Sequence, residues 1–316
     1  MKLWNWNLTT PLSVGMVVAL LGASVIGPPL LGHVPRRSVI SGQVVVAKWA
    51  QPLSIPWRMN PTRTPNITGT PSVDSAFRQA FQTWSAVPTA TIAFVEGPMM
   101  ASGKPGLDQV NLITADLTAA EWAVYGIDAI SFTNVTTSVT TGQLVEADIL
   151  FNPNAGFSTA AATPFNLSDL QAVATHEIGH LLGLDHSPLA SAIMFPLQAG
   201  RTFSRTLTAD DMIGISALYP TAAFTARGSI TGTIRTMSNV GVFGAIVVVV
   251  GQNGQPFSAT ITDPDGKYSI TGLPAGNYTL QAEPMDGPFG ENDPVAPLLT
   301  LYPGKTVNTD FTSRFR

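Results

Sequence analysis

Three stretches of the chain space their apolar residues for helices, and most of what lies between them alternates as strands do. Phe77, Ala80, Phe81 and Trp84 fall at i, i+3, i+4 and i+7, which predicts a helix starting near Ser72 and ending before Pro88. An aromatic stripe at this spacing is read as core, not as a ligand surface. Leu170, Val173, Ala174, Ile178 and Leu181 predict a second helix starting near Asn166 or Ser168, where Ser168 and Gln171 have the spacing of a capping box. A third starts at Thr208, with Asp211 completing a second box. Met212, Ile215 and Leu218 should face inward there, and Pro220 should stop it. Residues 53–55, 91–95, 110–113, 129–133 and 147–151 read as short strands of one twisted sheet.

Past residue 221 the helical periodicity disappears. Residues 229–234, 245–250, 267–270 and 277–282 are β-prone runs, and Asp263-Pro264-Asp265-Gly266 is a turn. The pattern divides the chain into an α+β part over 51–221 and an all-β part over 222–316. A connector over 33–50 precedes them, with a β-prone run at Val44-Val45-Val46. The last part has alternating strands to bury a core of its own, so a chain cut near residue 222 is expected to keep a folded, active first part.

The N-terminus reads differently again. Lys2 is followed by an uncharged stretch from Pro11 to Leu31, strongly apolar from Val14 to Ile26, with small residues at Gly22, Ala23 and Ser24. Residues 1–32 therefore read as an export signal. The alternative is a retained membrane anchor, which the length allows but Gly27-Pro28-Pro29 would interrupt. Either way the rest is expected outside the cell, secreted or anchored and facing outward. The chain has no cysteine, so disulfides and thiolate chemistry are excluded, and an exported chain without them suits a bacterial protein. With 16 Lys and Arg against 20 Asp and Glu, the net charge of −4 leaves no basic footprint for nucleic acid.

The candidate chemistry is concentrated in Thr175 to His186, which holds three of the four histidines. His176 and His180 are four apart, so on a helix both rings leave one face, one turn apart. That spacing lets two nitrogens reach one zinc ion. Glu177 flanks the metal and can take a proton from water activated there. Gly183 can adopt positive φ, end the helix and turn the chain back. His186 then arrives as a third ligand, and the fourth position stays open, as in catalytic sites. The blander readings are a histidine-rich surface helix and a site that binds metal without cutting. The pattern with Gly183 and His186 in place is rare enough to set the first aside, and no expected group is missing, which disfavours the second.

Residues 176–186 resemble the zinc signature of the metzincins, and Ser187 after the last histidine is typical of their matrixin branch. Residues 192–196 resemble the Met-turn of that family, 207–219 its last helix and 73–84 its first, so the likeness covers roughly residues 50–220. The resemblance implies a metzincin catalytic domain, a twisted mixed sheet with three helices, acting as a zinc endopeptidase on extracellular proteins or peptides. It implies that Met194 supports the metal site from below, that Phe195 and Pro196 wall the pocket for the substrate side chain, and that the sheet edge at 129–134 binds substrate as an added strand. Many animal matrixins carry a second, structural zinc held by histidines; here the corresponding segments around 129–132 and 147–150 have none, so one catalytic zinc per chain is expected. Asp263, Asp265 and Asp286 do not make a full calcium set, and calcium has no clear motif to support it. Residues 228–282 resemble the carboxypeptidase regulatory-like module, most tellingly at 272–278, which implies an immunoglobulin- or prealbumin-like β-sandwich that attaches the enzyme to a surface or partner. A different class of protein remains as the alternative: a cell-surface adhesion or scaffold protein with a metal domain that does not cut.

Overall fold

The computed structural model describes residues 34–63, 66–101, 103–196, 205–283, 299–301, 306–308 and 311–312; the export segment, His33 and Asp286 lie outside them. The described chain enters through a hairpin, β1 (Arg37–Ile40) and β2 (Gln43–Val46), turned at Ser41-Gly42, both at positive φ. The expected connector is thus structured. The Arg36 amide donates to Gly183 O (2.8 Å), the Asp185 amide donates to Val34 O (2.7 Å), and Ala47 is fully buried.

Residues 53–55 do not open a strand together. Pro52–Ser54 form a 3₁₀ turn, which suits a proline because the first helical amides have no partner to lose. β3 (Ile55–Arg63) begins only at Ile55, and β4 (Ile67–Thr68) follows. Helix α1 (Val73–Ser85) is capped as expected: Ser72 accepts from the Ser75 amide. Next come β5 (Phe94–Glu96), β6 (Leu112–Ala115), a short helix α2 (Ala119–Ala123) that the pattern did not suggest, β7 (Ser131–Thr137) and β8 (Leu144–Phe151). The sheet order is β5-β3-β6-β8-β7, parallel except for β7, which is antiparallel at the edge.

The strands expected at 91–95, 110–113 and 129–133 begin two or three residues late. Other hydrogen bonds take the early amides out of the ladder: Thr91 donates to the distant Tyr219 O, Ala93 to Pro52 O, and Val110 to the nearby Asp108 carboxylate.

After β9 (Phe157–Ser158) and β10 (Ser168–Asp169), helix α3 (Leu170–Leu181) carries the histidine motif across the sheet. Its cap is Asp169, not Ser168: the carboxylate accepts from the Ala172 amide (3.0 Å). Ser168 instead pairs with Phe157 in a short parallel ladder. Asp169 is the stronger cap because its charge suits the helix N-terminus, and Arg205 offsets its burial at 2.8 Å. α1 packs on α3 with Trp84 Nε1 donating to Thr175 O (2.8 Å), while Phe77 stacks on Phe151 and Phe81 on Trp57 of the sheet. Each such buried side chain contributes about 1.5–3 kcal/mol.

Helix α4 (Ala209–Leu218) has the expected box between Thr208 and Asp211. Its buried face includes Ile215 and Leu218 as expected but not Met212. Met212 is 36% exposed, whereas Ile213 is buried. Ile215 and Leu218 pack into the first core, but Ile213 belongs to a second core on the opposite side. Two apolar faces are needed because α4 lies between the two halves of the chain.

That second core lies within the C-terminal part, which starts after α5 (Ala222–Thr225). One sheet joins β11 (Gly228–Arg235) to β14 (Lys267–Leu273), and the other runs β13-β12-β15-β16. Their ranges are β12 (Ile246–Val250), β13 (Pro256–Ile261), β15 (Gly276–Glu283) and β16 (Leu299–Leu301). β17 (Thr306–Asn308) and β18 (Phe311–Thr312) also pair with β11. Ile230, Val247, Ile270 and Leu280, drawn from both sheets, share this core with Ile213 and Phe224. A further cluster joins Leu189 and Ala192 of the first half to Val248, Val250 and Ala259 of the second. The halves therefore share buried surface, which a cut near residue 222 would expose.

Candidate metal centre

On α3 the rings of His176 and His180 leave one face, with Nε2 atoms 3.1 Å apart. Gly183 takes φ +99°, a conformation that side-chain-bearing residues avoid, and the chain reverses there. The Leu184 amide closes the turn on Gly179 O (3.0 Å). His186 is thereby returned to the other two, its ring centroid 5.3 Å from that of His176 and 4.8 Å from that of His180. One nitrogen from each ring lies within 4.8 Å of the others.

The outer nitrogens explain the convergence. His176 Nδ1 is 2.7 Å from Ile193 O, and His180 Nδ1 is 2.9 Å from Leu184 O. A carbonyl can only accept, so each ring carries its proton on Nδ1 and turns the Nε2 lone pair inward. Burial, then the neighbouring His176, holds the pKa of His180 well below its ordinary value, and the same two causes lower that of His186. Neutral imidazoles are the form that binds a metal. The donor set, three imidazole nitrogens on one small volume, fits zinc.

Glu177 is buried, and both its oxygens are engaged. Ser131 Oγ donates to Oε1 (2.6 Å), and Thr133 Oγ1 lies 2.6 Å from Oε2. These hydroxyls sit on β7, two residues apart and so on one face of the strand. The sequence reading missed both. The alternation of β7 shows that residues 131 and 133 share a face, but not that α3 lies beneath it.

Met194 is buried directly under the helix. A Cβ on Gly179 would fall closer than 3.0 Å to Met194 Sδ, so the glycine leaves room for the thioether between the two histidine turns. Asp211 fixes the loop, accepting from the amides of Ile193 (3.0 Å) and Met194 (3.1 Å) while it caps α4. The Ser187 amide donates to Met194 O (2.8 Å). Two acidic neighbours on α4 thus serve the site, and the sequence identified Asp211 only as a cap. Asp210, also buried, is bonded to Ser187; burial first, then Asp211, pushes its pKa up to about 7. Phe195 is half-buried and Pro196 exposed.

Away from the histidines, Asp148 accepts from the amides of Gly106 and Leu112 (both 3.0 Å), and Glu146 accepts from that of Gln109, so both carboxylates peg one loop to β8. Burial, working against those two amides, pushes Asp148 up to about 7. Asp263 accepts from the amides of Asp265 and Lys267 (2.9 and 2.8 Å), and Asp265 pairs with Lys267, as turn carboxylates do.

Residues 48–220 match the family model described as Matrixin, and residues 229–314 match that described as Carboxypeptidase regulatory-like domain. Metalloendoproteinase 1-MMP of Arabidopsis thaliana is 34% identical over 157 residues, covering 46% of this chain and 38% of that protein. Metalloendoproteinase 5-MMP of the same plant is 55% identical over 51 residues, 16% of this chain and 14% of the relative. Karilysin of Tannerella forsythia is 49% identical over 51 residues, 16% and 10% respectively. The matches thus span well under half the length of these curated relatives.

Proposed function

The chain belongs to the matrixin family, and from that premise we propose that it is a zinc-dependent endopeptidase cutting extracellular proteins or peptides. The observation that carries this reading is the convergence of three imidazoles whose outer nitrogens are locked by backbone carbonyls. His176, His180 and His186 would hold the metal. Zinc bound there would polarise the scissile carbonyl and make water more acidic.

The chain's own groups do the rest. Glu177 takes the proton from the attacking water at a carboxylate oxygen and passes it to the leaving amine nitrogen. Ser131 and Thr133 hold that carboxylate against β7. Among the described residues no strand pairs with the outer side of β7, which suits an extended substrate added there. Phe195 and Pro196, directly after Met194, would wall the side-chain pocket. Residues 1–32 would export the chain. The C-terminal part, two sheets around a shared core, is read as a β-sandwich.

The test is Glu177→Ala. It should bind zinc as the wild type does and lose most cleavage of casein, at least about 100-fold, because the proton carrier goes while the ligands stay. Cleavage at a near wild-type rate would overturn the role given to Glu177. An adhesion protein with a silent metal domain would give no zinc-dependent cleavage in the wild type either.

A further inference from the structure

Asp210 stands where three parts of the chain meet. Its side chain is buried, and both oxygens have partners. Oδ2 accepts from Ser187 Oγ (2.7 Å). Oδ1 accepts from Ser258 Oγ (2.8 Å) and from the Ala259 amide (2.9 Å), both on β13 of the C-terminal part. Ser187 directly follows the third histidine. Its hydroxyl also accepts from the Leu189 amide (3.1 Å), and its own amide holds Met194 O. An apolar cluster at the same junction joins Leu189 and Ala192 to Val248, Val250 and Ala259.

A buried carboxylate is tolerated only when donors replace the water it has lost. Here two of the three donors come from the C-terminal part. Without them one oxygen is left bare beside the first turn of α4, the turn whose other acid, Asp211, holds the methionine loop. The strain would pass along Ser187 to the His186 turn and along α4 to Ile193, whose carbonyl orients His176.

We propose that the C-terminal module is a working part of the metal centre, and that Asp210 is the positioning residue through which β13 fixes the His186 turn. The proposal rests on the zinc-site reading above and goes beyond it: the module acts on the site from within, whatever it binds outside.

The experiment uses the full chain. Zinc affinity is measured by competition with a chromophoric chelator, and kcat and KM on a quenched peptide that the wild type cuts. Ser258→Ala keeps the Ala259 amide on Asp210, so the fold has a remaining anchor. We expect it to weaken zinc about 3- to 10-fold and to lower kcat with KM unchanged, less than the roughly 10- to 100-fold typical when a direct partner of a metal ligand is removed, because Asp210 acts one step further back and keeps the Ala259 amide. Ser187→Ala should do at least as much. The double variant should lose no more than Ser187→Ala alone, because both act through one carboxylate. Asp210→Asn keeps an acceptor for β13 and changes only the arm to Ser187, so it should also weaken zinc, and it serves if either serine variant fails to fold. Zinc affinity and kcat within 2-fold of wild type in Ser258→Ala and Asp210→Asn, at any melting temperature, would overturn the proposal. So would strictly additive losses in the double variant. Wild-type protein that binds no zinc would instead overturn the site reading on which the proposal rests.

Discussion

Replacing Gly183 by alanine tests how the third ligand is delivered. Two costs add at this position. The first is conformational: φ is +99°, and a Cβ in left-handed backbone costs about 1–2 kcal/mol. The second is steric: the new Cβ would lie closer than 3.0 Å to the carbonyl oxygen of Ala47, where ordinary contact begins near 3.4 Å. That oxygen is backbone of the buried Ala47, tethered through its amide to Arg36 O and through Lys48 O to the Leu144 amide, so it cannot swing aside freely, and overpacking of this kind adds about 1–3 kcal/mol. The sum, about 3 kcal/mol, should lower the melting temperature by about 6–12 °C.

Gly42 provides the control. It has φ +78° and open space where a Cβ would go, so Gly42→Ala carries the conformational cost alone, about 2–8 °C. The two variants should differ at the metal as well. Moving residue 183 by several tenths of an ångström moves His186, three residues on, and zinc affinity should fall at least about 10-fold; Gly42→Ala should leave it unchanged. Thermal melts followed by circular dichroism and chelator competition give both readings. A Gly183→Ala protein that melts with Gly42→Ala and holds zinc like the wild type would refute the claim that this turn, pressed on residues 34–50, sets the third ligand.

Three further outcomes are expected. A chain ending at residue 221 exposes Ile213, Leu189 and Ala192 and strips two donors from Asp210, so it should aggregate or melt well below the full chain; a soluble monomer of wild-type stability in gel filtration and melting would contradict this. Asp148 has a folded pKa of about 7 against an ordinary 3.8, so the stability it confers when protonated is complete below pH 3.8 and is lost as pH rises through 7, with an upper limit of about 4 kcal/mol. Relative to wild type, Asp148→Asn should therefore gain melting temperature between pH 5 and 8, and a constant difference across that range would exclude the raised pKa. Elemental analysis of dialysed protein should find one zinc per chain, and two tightly held ions would reveal a site not identified here.

The sequence by itself determined what depends on local order. The four-residue step from His176 to His180, the glycine at 183 and His186 three residues later mark a candidate ligand set because helix pitch and a glycine turn are local, although Ile193 and residues 34–47 complete the positioning. The caps at Ser72 and Thr208 and the stripe from Phe77 to Trp84 were legible for the same reason. Tertiary structure decided everything that needs a partner distant in the chain. Asp169 outcompeted Ser168 as a cap because Arg205 reaches it. Ile213 is buried, and Met212 is not, because a second body lies against α4, and one helix pattern cannot reveal a second face until its neighbour is known. Ser131 and Thr133 became partners of Glu177 only when β7 was laid beside α3. Asp210, one of two adjacent acids at a helix start, acquired a separate role because its hydrogen-bond donors lie at residue 187 on one side and at residues 258 and 259 on the other, and only folding brings those positions within 3 Å of one carboxylate.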